Sequence, residues 1–286
     1  DTVFATAPEY RTDIAEGKVG KADVIEEIAR LYGYDRIPST RLQAELPPQR
    51  SNPAEERDRA VQDILVSMGL QEVISYRLSS PEAEARLYPP DSSREKPEYV
   101  ELQNPIALEK RVLRRSLLAS VLEAMERNVR LRDRLAFFEV GPVFLPNPDQ
   151  ELPDEPARLA IAITGKRHPS DWDTKTSENL DFYDMKGIIE ALLVAFHADA
   201  YTIGAENHPT FHPGKCAAIS IGGDPLGVFG VLHPLVKENY AFLEADIIAA
   251  DLDLNTLFAH VPESYKAEPL VAFPPVIEDL AIIVPE

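Results

Sequence analysis

The sequence predicts an α+β protein: a mainly antiparallel sheet flanked by helices, with a small partial N-terminal domain. Three observations support this fold class. Several apolar, β-branched stretches are bounded by turn residues, as strands are, and other stretches repeat apolar residues every three or four positions, as helices do. Helices and strands also follow one another irregularly, which favours an antiparallel sheet over the parallel sheet of a doubly wound fold.

The first predicted element is a short amphipathic helix in DVIEEIARLYGYDRIP, residues 23–38, which ends at Gly33. Asp23, Glu26 and Glu27 are spaced so that Asp23 shares a helix face with one or both glutamates. Carboxylates in this arrangement suit Mg²⁺. They equally suit a capping box with Asp23 as N-cap, and the residues alone favour the cap.

A polar, proline-bearing stretch over residues 41–53 predicts a linker to the main body. Periodicity then predicts three helices, over residues 55–68, 113–129 and 181–197. The strands predicted in the main body cover residues 71–80, 99–105, 135–146, 157–165, 216–221, 226–232 and 245–254. A further apolar run, LAIIV at residues 280–284, has strand character but no following element to pair with.

The charge of the chain limits its partners. It has 48 acidic and 29 basic side chains, a formal charge of -19 that disfavours broad contact with DNA, tRNA or anionic membranes. The one basic run, residues 110–134, is interleaved with acids and leucines and is predicted to be a solvated or partner-facing helix surface. No stretch has the composition of a signal peptide or membrane span, and the single Cys216 fits a reducing compartment, so the cytoplasm is expected.

No catalytic constellation emerges from residue chemistry alone. No serine lies in a nucleophile elbow, and the glycines of GGDPLGVFG lack the lysine of a phosphate-binding loop. His208, His212 and Cys216 are spaced by four, but Pro209 and Pro213 prevent a regular helix from presenting them together. A loop entering a strand is therefore favoured there over a zinc site.

A series of stretches in chain order is more specific than any single motif. The stretches are YRTDI (10–14), DVIEEIARLYGYDRIP (23–38), LQNPIALEKRVLRRSLLASVLEAMERN (102–128), LAFFEVGPVF (135–144), DFYDMKGIIEALL (181–193), FHPGKCAAISIGG (211–223), GVFGVLHP (227–234) and FPPVIEDLAIIV (273–284). Together they resemble, over almost the whole chain, the β subunit of bacterial phenylalanine–tRNA ligase. The resemblance implies that residues 1–41 are the C-terminal part of the B5 domain, residues 42–272 the catalytic-like module called B6-B7, and residues 273–286 the first strand of a truncated ferredoxin-fold anticodon-binding domain.

The resemblance also implies a metal site. The family carries Mg²⁺-binding acids in a site shared with its α subunit, and they match Asp13, Asp23, Glu26 and Glu27 here. This raises the metal interpretation above the cap, although both can hold at once. The family's two aspartates lie closer together than Asp13 and Asp23, which are ten positions apart, so Asp13 is the weakest match. Near the C-terminus, Glu278 stands where the family has arginine.

The catalytic-like module resembles a class II synthetase core that has lost its chemistry. Arg114 and Glu139 resemble the arginine and strand glutamate that such cores place beside ATP phosphates, while GVFGVLHP lacks the second arginine. The resemblance therefore implies a structural module without catalytic residues. It implies docking to a catalytic α subunit, which binds the ATP, in an (αβ)₂ heterotetramer, with tRNA(Phe) bound mainly through domains absent here. The expected interface is an apolar helix face formed by Val61, Ile64, Leu65 and Met68.

Two other functions remain open. One is a residual paralogue that binds ATP or an aminoacyl-adenylate and acts alone; replacing Arg114 by alanine would then abolish ATP binding. The other is a winged-helix nucleic-acid module in residues 1–41, against which the acid excess argues.

Overall fold

The structure is a computed structural model that describes residues 3–41, 48, 50–90, 92, 97–168, 172–173, 178–242, 246–262, 264 and 273–283. The chain divides into two compact units, Asp1–Ser51 and Asn52–Glu286. The division falls inside the predicted linker, although residues 42–47 and 49 of that linker lie outside the described part. No helix in the described residues is long and apolar enough to cross a membrane.

In the described residues of the N-terminal unit, the helix α1 (Gly17–Tyr32) is followed by a 3-10 turn at Tyr34–Arg36. The helix ends at Gly33 as predicted; its φ of 100° is in the region that favours glycine, and its N–H donates to the carbonyl of Ala29. The predicted start is wrong, because the helix begins six residues before Asp23. Gly20 permits the earlier turn, since a Cβ there would lie only 1.7 Å from the carbonyl oxygen of Ala15.

The second unit carries the sheet and the remaining helices of the described chain. The helices are α2 (Pro53–Ser67), α3 (Pro81–Ala85), α4 (Leu118–Asn128), α5 (Phe182–Ala195), α6 (Pro234–Asn239) and α7 (Leu254–His260). The strands are β1 (Gln71–Glu72), β2 (Leu78–Ser79), β3 (Val112–Leu113), β4 (Arg134–Pro142), β5 (Ala157–Gly165), β6 (Tyr201–Ala205), β7 (Phe211–Ile221), β8 (Asp224–Leu232) and β9 (Ile248–Asp253).

The main sheet has the order β1-β4-β5-β9-β8-β7-β6. All neighbours pair antiparallel except β1 with β4, which pair parallel through two residues. The predicted α+β class with a mainly antiparallel sheet is therefore confirmed. Strands β2 and β3 form a separate antiparallel pair.

Apolar side chains cover both faces of this sheet. On one face α2, α5 and α7 pack on the strands through Leu65, Ile189 and Leu257 among others. On the other face α4 and α6 pack through residues such as Leu122 and Val236. Each fully buried side chain of this kind stabilises the fold by roughly 1.5–3 kcal/mol relative to an exposed one.

The predicted elements that differ from the structure are mostly short. The helix predicted over 113–129 begins at Leu118, because Val112 and Leu113 pair with β2. The strand predicted over 99–105 is reduced to one bridge, between Glu101 and Val112, and residues 71–80 form two short strands instead of one. Residues 280–283 of the predicted terminal strand pair with no other strand in the described chain, and Val284 lies outside it.

Candidate functional site

The acids of the N-terminal unit lie beside two arginines. Arg11 contacts Asp13 at 2.6 Å and Glu27 at 2.8 Å, and Arg30 contacts the other oxygen of Glu27 at 2.6 Å. The guanidinium of Arg11 lowers the pKa of Asp13 to about 2. Arg30, and then Arg11, hold the pKa of Glu27 below its usual value. Both carboxylates are therefore ionised and already paired.

The other two predicted ligands are placed differently. Asp23 lies inside α1 and accepts a hydrogen bond from the backbone N–H of Ala15 at 3.0 Å. Because the helix starts at Gly17, Asp23 is not its N-cap, and the capping-box interpretation is wrong. Glu26 is exposed on the same helix.

These four acids do not form a metal centre in the arrangement observed. Among the described residues, no three or more His, Cys, Asp or Glu side chains are grouped so that they could hold a metal ion. Arg11 contacts the carboxylate oxygens of Asp13 and Glu27 that a cation would need. The observed geometry therefore does not fit Mg²⁺, and the assignment of Asp13, Asp23, Glu26 and Glu27 stays a prediction.

A buried ionic cluster occupies the larger unit. Arg114 contacts Glu139 at 2.5 Å, and the two side chains are only 3% and 4% exposed. Ser75 donates its hydroxyl to both carboxylate oxygens of Glu139, at 2.9 and 2.7 Å, and accepts from Arg114 at 2.9 Å. Arg114 also donates to the carbonyl of Pro142, and a Cβ at Gly141 would lie 2.8 Å from the guanidinium. The cluster is closely packed and its charges are compensated internally.

A second ionic group lies in the same cross-strand row. The register pairs Glu139 with Ala160 and Ala160 with Asp251, so their side chains share one face of the sheet. Arg158 contacts Asp251 at 3.1 Å and Asp253 at 2.9 Å. Burial raises the pKa of Asp251 above its usual value, against the opposing effect of Arg158. This group and Ser75 could not be predicted from the sequence, because their partners are distant in the chain.

The predicted apolar interface residues are only partly on the surface. Val61 and Leu65 are fully buried in the chain's own core, which corrects the expectation that they face a partner. Ile64 and Met68 are partly buried against the same core.

Apolar side chains nearby are far more exposed. Ile74 and Tyr76, in the segment between β1 and β2, are 89% and 73% exposed, and Val66 on α2 is 54% exposed. The ammonium of Lys110 lies 3.6 Å from the centroid of the Tyr76 ring. Val66 lies on the helix that contacts the edge strand β1, and Ile74 lies two residues beyond the end of that strand. Apolar periodicity in the sequence marks only the helix face that contains Val61 and Leu65, so these exposed side chains were not predicted.

Comparison with known proteins gives one consistent result. A family described as "Phenylalanyl tRNA synthetase beta chain CLM domain" matches residues 37–254. Proteins named phenylalanine–tRNA ligase β subunit from Geobacter sulfurreducens, Clostridium acetobutylicum and Geobacillus kaustophilus are 34%, 34% and 36% identical over 99%, 100% and 98% of the chain. The chain spans about a third of the length of each, 35%, 34% and 34%.

Solved structures support the fold. Two structures of a pyrrolysyl-tRNA synthetase from Desulfitobacterium hafniense superpose with TM-scores of 0.53 and 0.54 at 14% identity. Each covers 83% of the chain, and the chain covers 72% and 74% of them. At this identity the likeness shows a class II synthetase fold and nothing of the chemistry.

Proposed function

Because the chain belongs to the phenylalanyl-tRNA synthetase β-chain family, we propose that it is the noncatalytic scaffold region of such a β subunit. It docks the catalytic α subunit for the ATP-dependent attachment of phenylalanine to tRNA(Phe). The observation that carries this proposal is the buried Arg114–Glu139–Ser75 cluster, whose charged groups bond to each other.

Adenylate formation requires cations that can reach the phosphates of ATP. The side chain of Arg114 is 3% exposed, and within the described part of the chain its guanidinium donates hydrogen bonds to Ser75, Glu139 and the carbonyl of Pro142. Arg158, on the same face of the sheet, is paired with two aspartates, Asp251 and Asp253. Moving Arg114 to a ligand would leave the buried carboxylate of Glu139 unpaired, at a cost of several kcal/mol. ATP is therefore bound by the α subunit in this proposal.

The docking surface is the open edge of the main sheet. Strand β1 pairs with β4 on one side and with no other strand in the described chain on its other side. The side chains just beyond it, Ile74 and Tyr76, point outward, while Ser75 between them contacts Glu139. Stable interfaces need a large apolar centre, which Val66, Ile74 and Tyr76 supply together with the exposed parts of Ile64 and Met68.

The wider assembly in this proposal is an (αβ)₂ heterotetramer in the cytoplasm, with tRNA(Phe) engaged mainly by parts of the β subunit outside this sequence. The proposed Mg²⁺ ligands are Asp13, Asp23, Glu26 and Glu27, shared with the α subunit. The resemblance carries that assignment, and it requires Arg11 to release Asp13 and Glu27 when the subunits assemble.

The docking surface is tested with the full-length β subunit and its α subunit. Replacing Ile74 and Tyr76 by serine should weaken assembly at least tenfold, measured by light scattering after size-exclusion chromatography across a dilution series. Serine replacements at Leu152 and Val194, which are 74% and 60% exposed elsewhere, are the matched control and should assemble normally. Normal assembly of the Ile74/Tyr76 variant would exclude this edge as the docking surface.

The rival function is ATP or aminoacyl-adenylate binding by the chain acting alone. Titration calorimetry with ATP distinguishes the two. We expect no binding by the chain alone; binding that disappears in Arg114→Ala, with the fold retained by circular dichroism, would support the rival.

A further inference from the structure

The basic run from Lys110 to Arg134 separates into two parts in the structure. In the first part every basic side chain has a partner within the chain. Lys110 lies over Tyr76, Arg111 contacts Glu82, Arg114 contacts Glu139, and Arg115 donates to the carbonyl of Glu98.

The second part is different. Arg127, Arg130 and Arg132 are exposed and make no hydrogen bond or ion pair with any residue in the described portion of the chain. Arg134 follows at the start of β4, and its Nε is buried without a hydrogen-bond partner in that portion. Four arginines thus occupy eight positions that contain one acid, Asp133, in a chain of net charge -19.

Local geometry brings Arg127 and Arg130 together. Helix α4 ends at Asn128, and the N–H of Leu131 donates to the carbonyl of Asn128, so the chain turns tightly between Arg127 and Arg132. A cavity of about 310 Å³ is lined by Glu126, Arg127, Arg130 and Ala241. The carboxylate of Glu126 contacts Arg86 at 2.7 Å, so it is already paired in the described structure. The concave surface between Arg127 and Arg130 is therefore cationic.

The helix dipole accounts for the position of only one of these arginines. A cation in the last turn of a helix interacts favourably with the helix dipole, and Arg127 is placed there. Arg130 and Arg132 lie beyond the helix end, where that effect has faded.

We propose that Arg127, Arg130 and Arg132 bind the phosphate backbone of RNA, with the tRNA of the proposed function as the ligand. The planar guanidinium donates two parallel hydrogen bonds to phosphate oxygens. Arg127 and Arg130 line the same cavity, which places them close enough to engage neighbouring phosphates. A protein partner would need an apolar centre, whereas Leu131 is the one large apolar side chain exposed within the run 127–134. The inference rests on the proposed function, because it takes its RNA from there.

The test measures binding of fluorescein-labelled tRNA(Phe) by anisotropy between 50 and about 300 mM salt, on the full-length β subunit with and without the α subunit. A triple variant, Arg127→Gln, Arg130→Gln and Arg132→Gln, removes the cluster. Since each phosphate contact contributes about 0.7–0.9 to the slope of log affinity against log salt, the slope should fall by about two to three. Affinity near 0.15 M salt should fall roughly 10- to 100-fold.

Three controls make the result specific. Replacing the same arginines by lysine keeps the charge and should preserve most of the slope. Replacing the exposed Arg41, Arg50 and Lys166 by glutamine removes equal charge elsewhere and should leave the slope unchanged. Phenylalanine-dependent exchange of pyrophosphate into ATP, which needs no tRNA, should be unchanged in the triple variant once it is assembled with the α subunit.

An unchanged slope in the triple variant, or an equal loss in the Arg41/Arg50/Lys166 variant, would overturn the inference. Failure of the triple variant to assemble with the α subunit would also overturn it, because the cluster would then face protein. Failure of the proposed function gives a different result. The unmodified β subunit would not assemble with the α subunit, while its own tRNA binding would still report on the arginines.

Discussion

Replacing Glu139 by glutamine should destabilise the larger unit by about 3–5 kcal/mol, the usual cost of removing one partner of a buried ion pair. The magnitude follows from the burial of the pair, because side chains only 3% and 4% exposed gain almost no solvent screening. Glu139 also accepts hydrogen bonds from the hydroxyl and the backbone N–H of Ser75. A neutral amide leaves the charge of Arg114 uncompensated in the core.

The assay is urea denaturation of the chain followed by circular dichroism, with free energies extrapolated to water. The matched control is Glu55→Gln, which breaks the 3.6 Å contact with Arg59, where both side chains are about two thirds exposed; it should cost at most about 0.5 kcal/mol. The double variant Arg114→Met/Glu139→Leu removes both charges and should recover most of the loss. A Glu139→Gln variant within about 0.5 kcal/mol of the parent would refute the conclusion that this pair is sealed and structural.

Three further predictions concern the rest of the fold. Replacing Arg11 by glutamine should return the pKa of Asp13 from about 2 toward about 4, as measured by NMR titration. Because pairing lowers this pKa, the ion pair stabilises the fold above about pH 4, and this stabilisation is lost as the pH falls toward 2. An unchanged pKa in the variant would contradict the contact. Asp181→Ala removes the N-cap that accepts from two backbone N–H groups of α5 and should cost about 1 kcal/mol in urea denaturation; no loss would show that the cap is dispensable. Gly165→Ala should destabilise the chain by more than about 1 kcal/mol, since the φ of Gly165 is 93° and a Cβ would lie 1.8 Å from the carbonyl oxygen of Asp133; a thermal midpoint equal to the parent's would contradict that geometry.

Most strands of the sheet and the long helices were predictable because their apolar periodicity is local, but the edge strand β6 at Tyr201–Ala205 was not predicted. The starts of α1 and α4 were not predicted either. Residues 17–22, GKVGKA, have the composition of a loop, yet they form a helical turn that Gly20 permits by approaching the carbonyl of Ala15 closely. At α4 the helix periodicity extends back to residue 113, but pairing of Leu113 with β2 keeps that residue extended.

The candidate site was less predictable from the sequence than the fold, because its contacts join residues that are distant in the chain. The sequence singles out Arg114 and Glu139 but not Ser75, which hydrogen-bonds both of them. Ser75 is 39 residues from Arg114 and 64 from Glu139, so its role is visible only in the structure. The inward placement of Val61 and Leu65 likewise follows from packing on α5 and the sheet. The division of the basic run into paired and unpaired halves also depends on acids such as Glu82, which are remote in sequence.

In the proposed function, this chain supports a catalytic partner and does not catalyse the reaction itself. The most direct test is light scattering on the chain alone and on its mixture with the cognate α subunit. Aminoacylation of tRNA(Phe) is assayed on each sample. We expect a stable complex in the mixture and no activity in the chain alone. Absence of a complex, with ATP or tRNA turnover by the chain itself, would contradict the account and make Arg114 and Glu139 catalytic candidates.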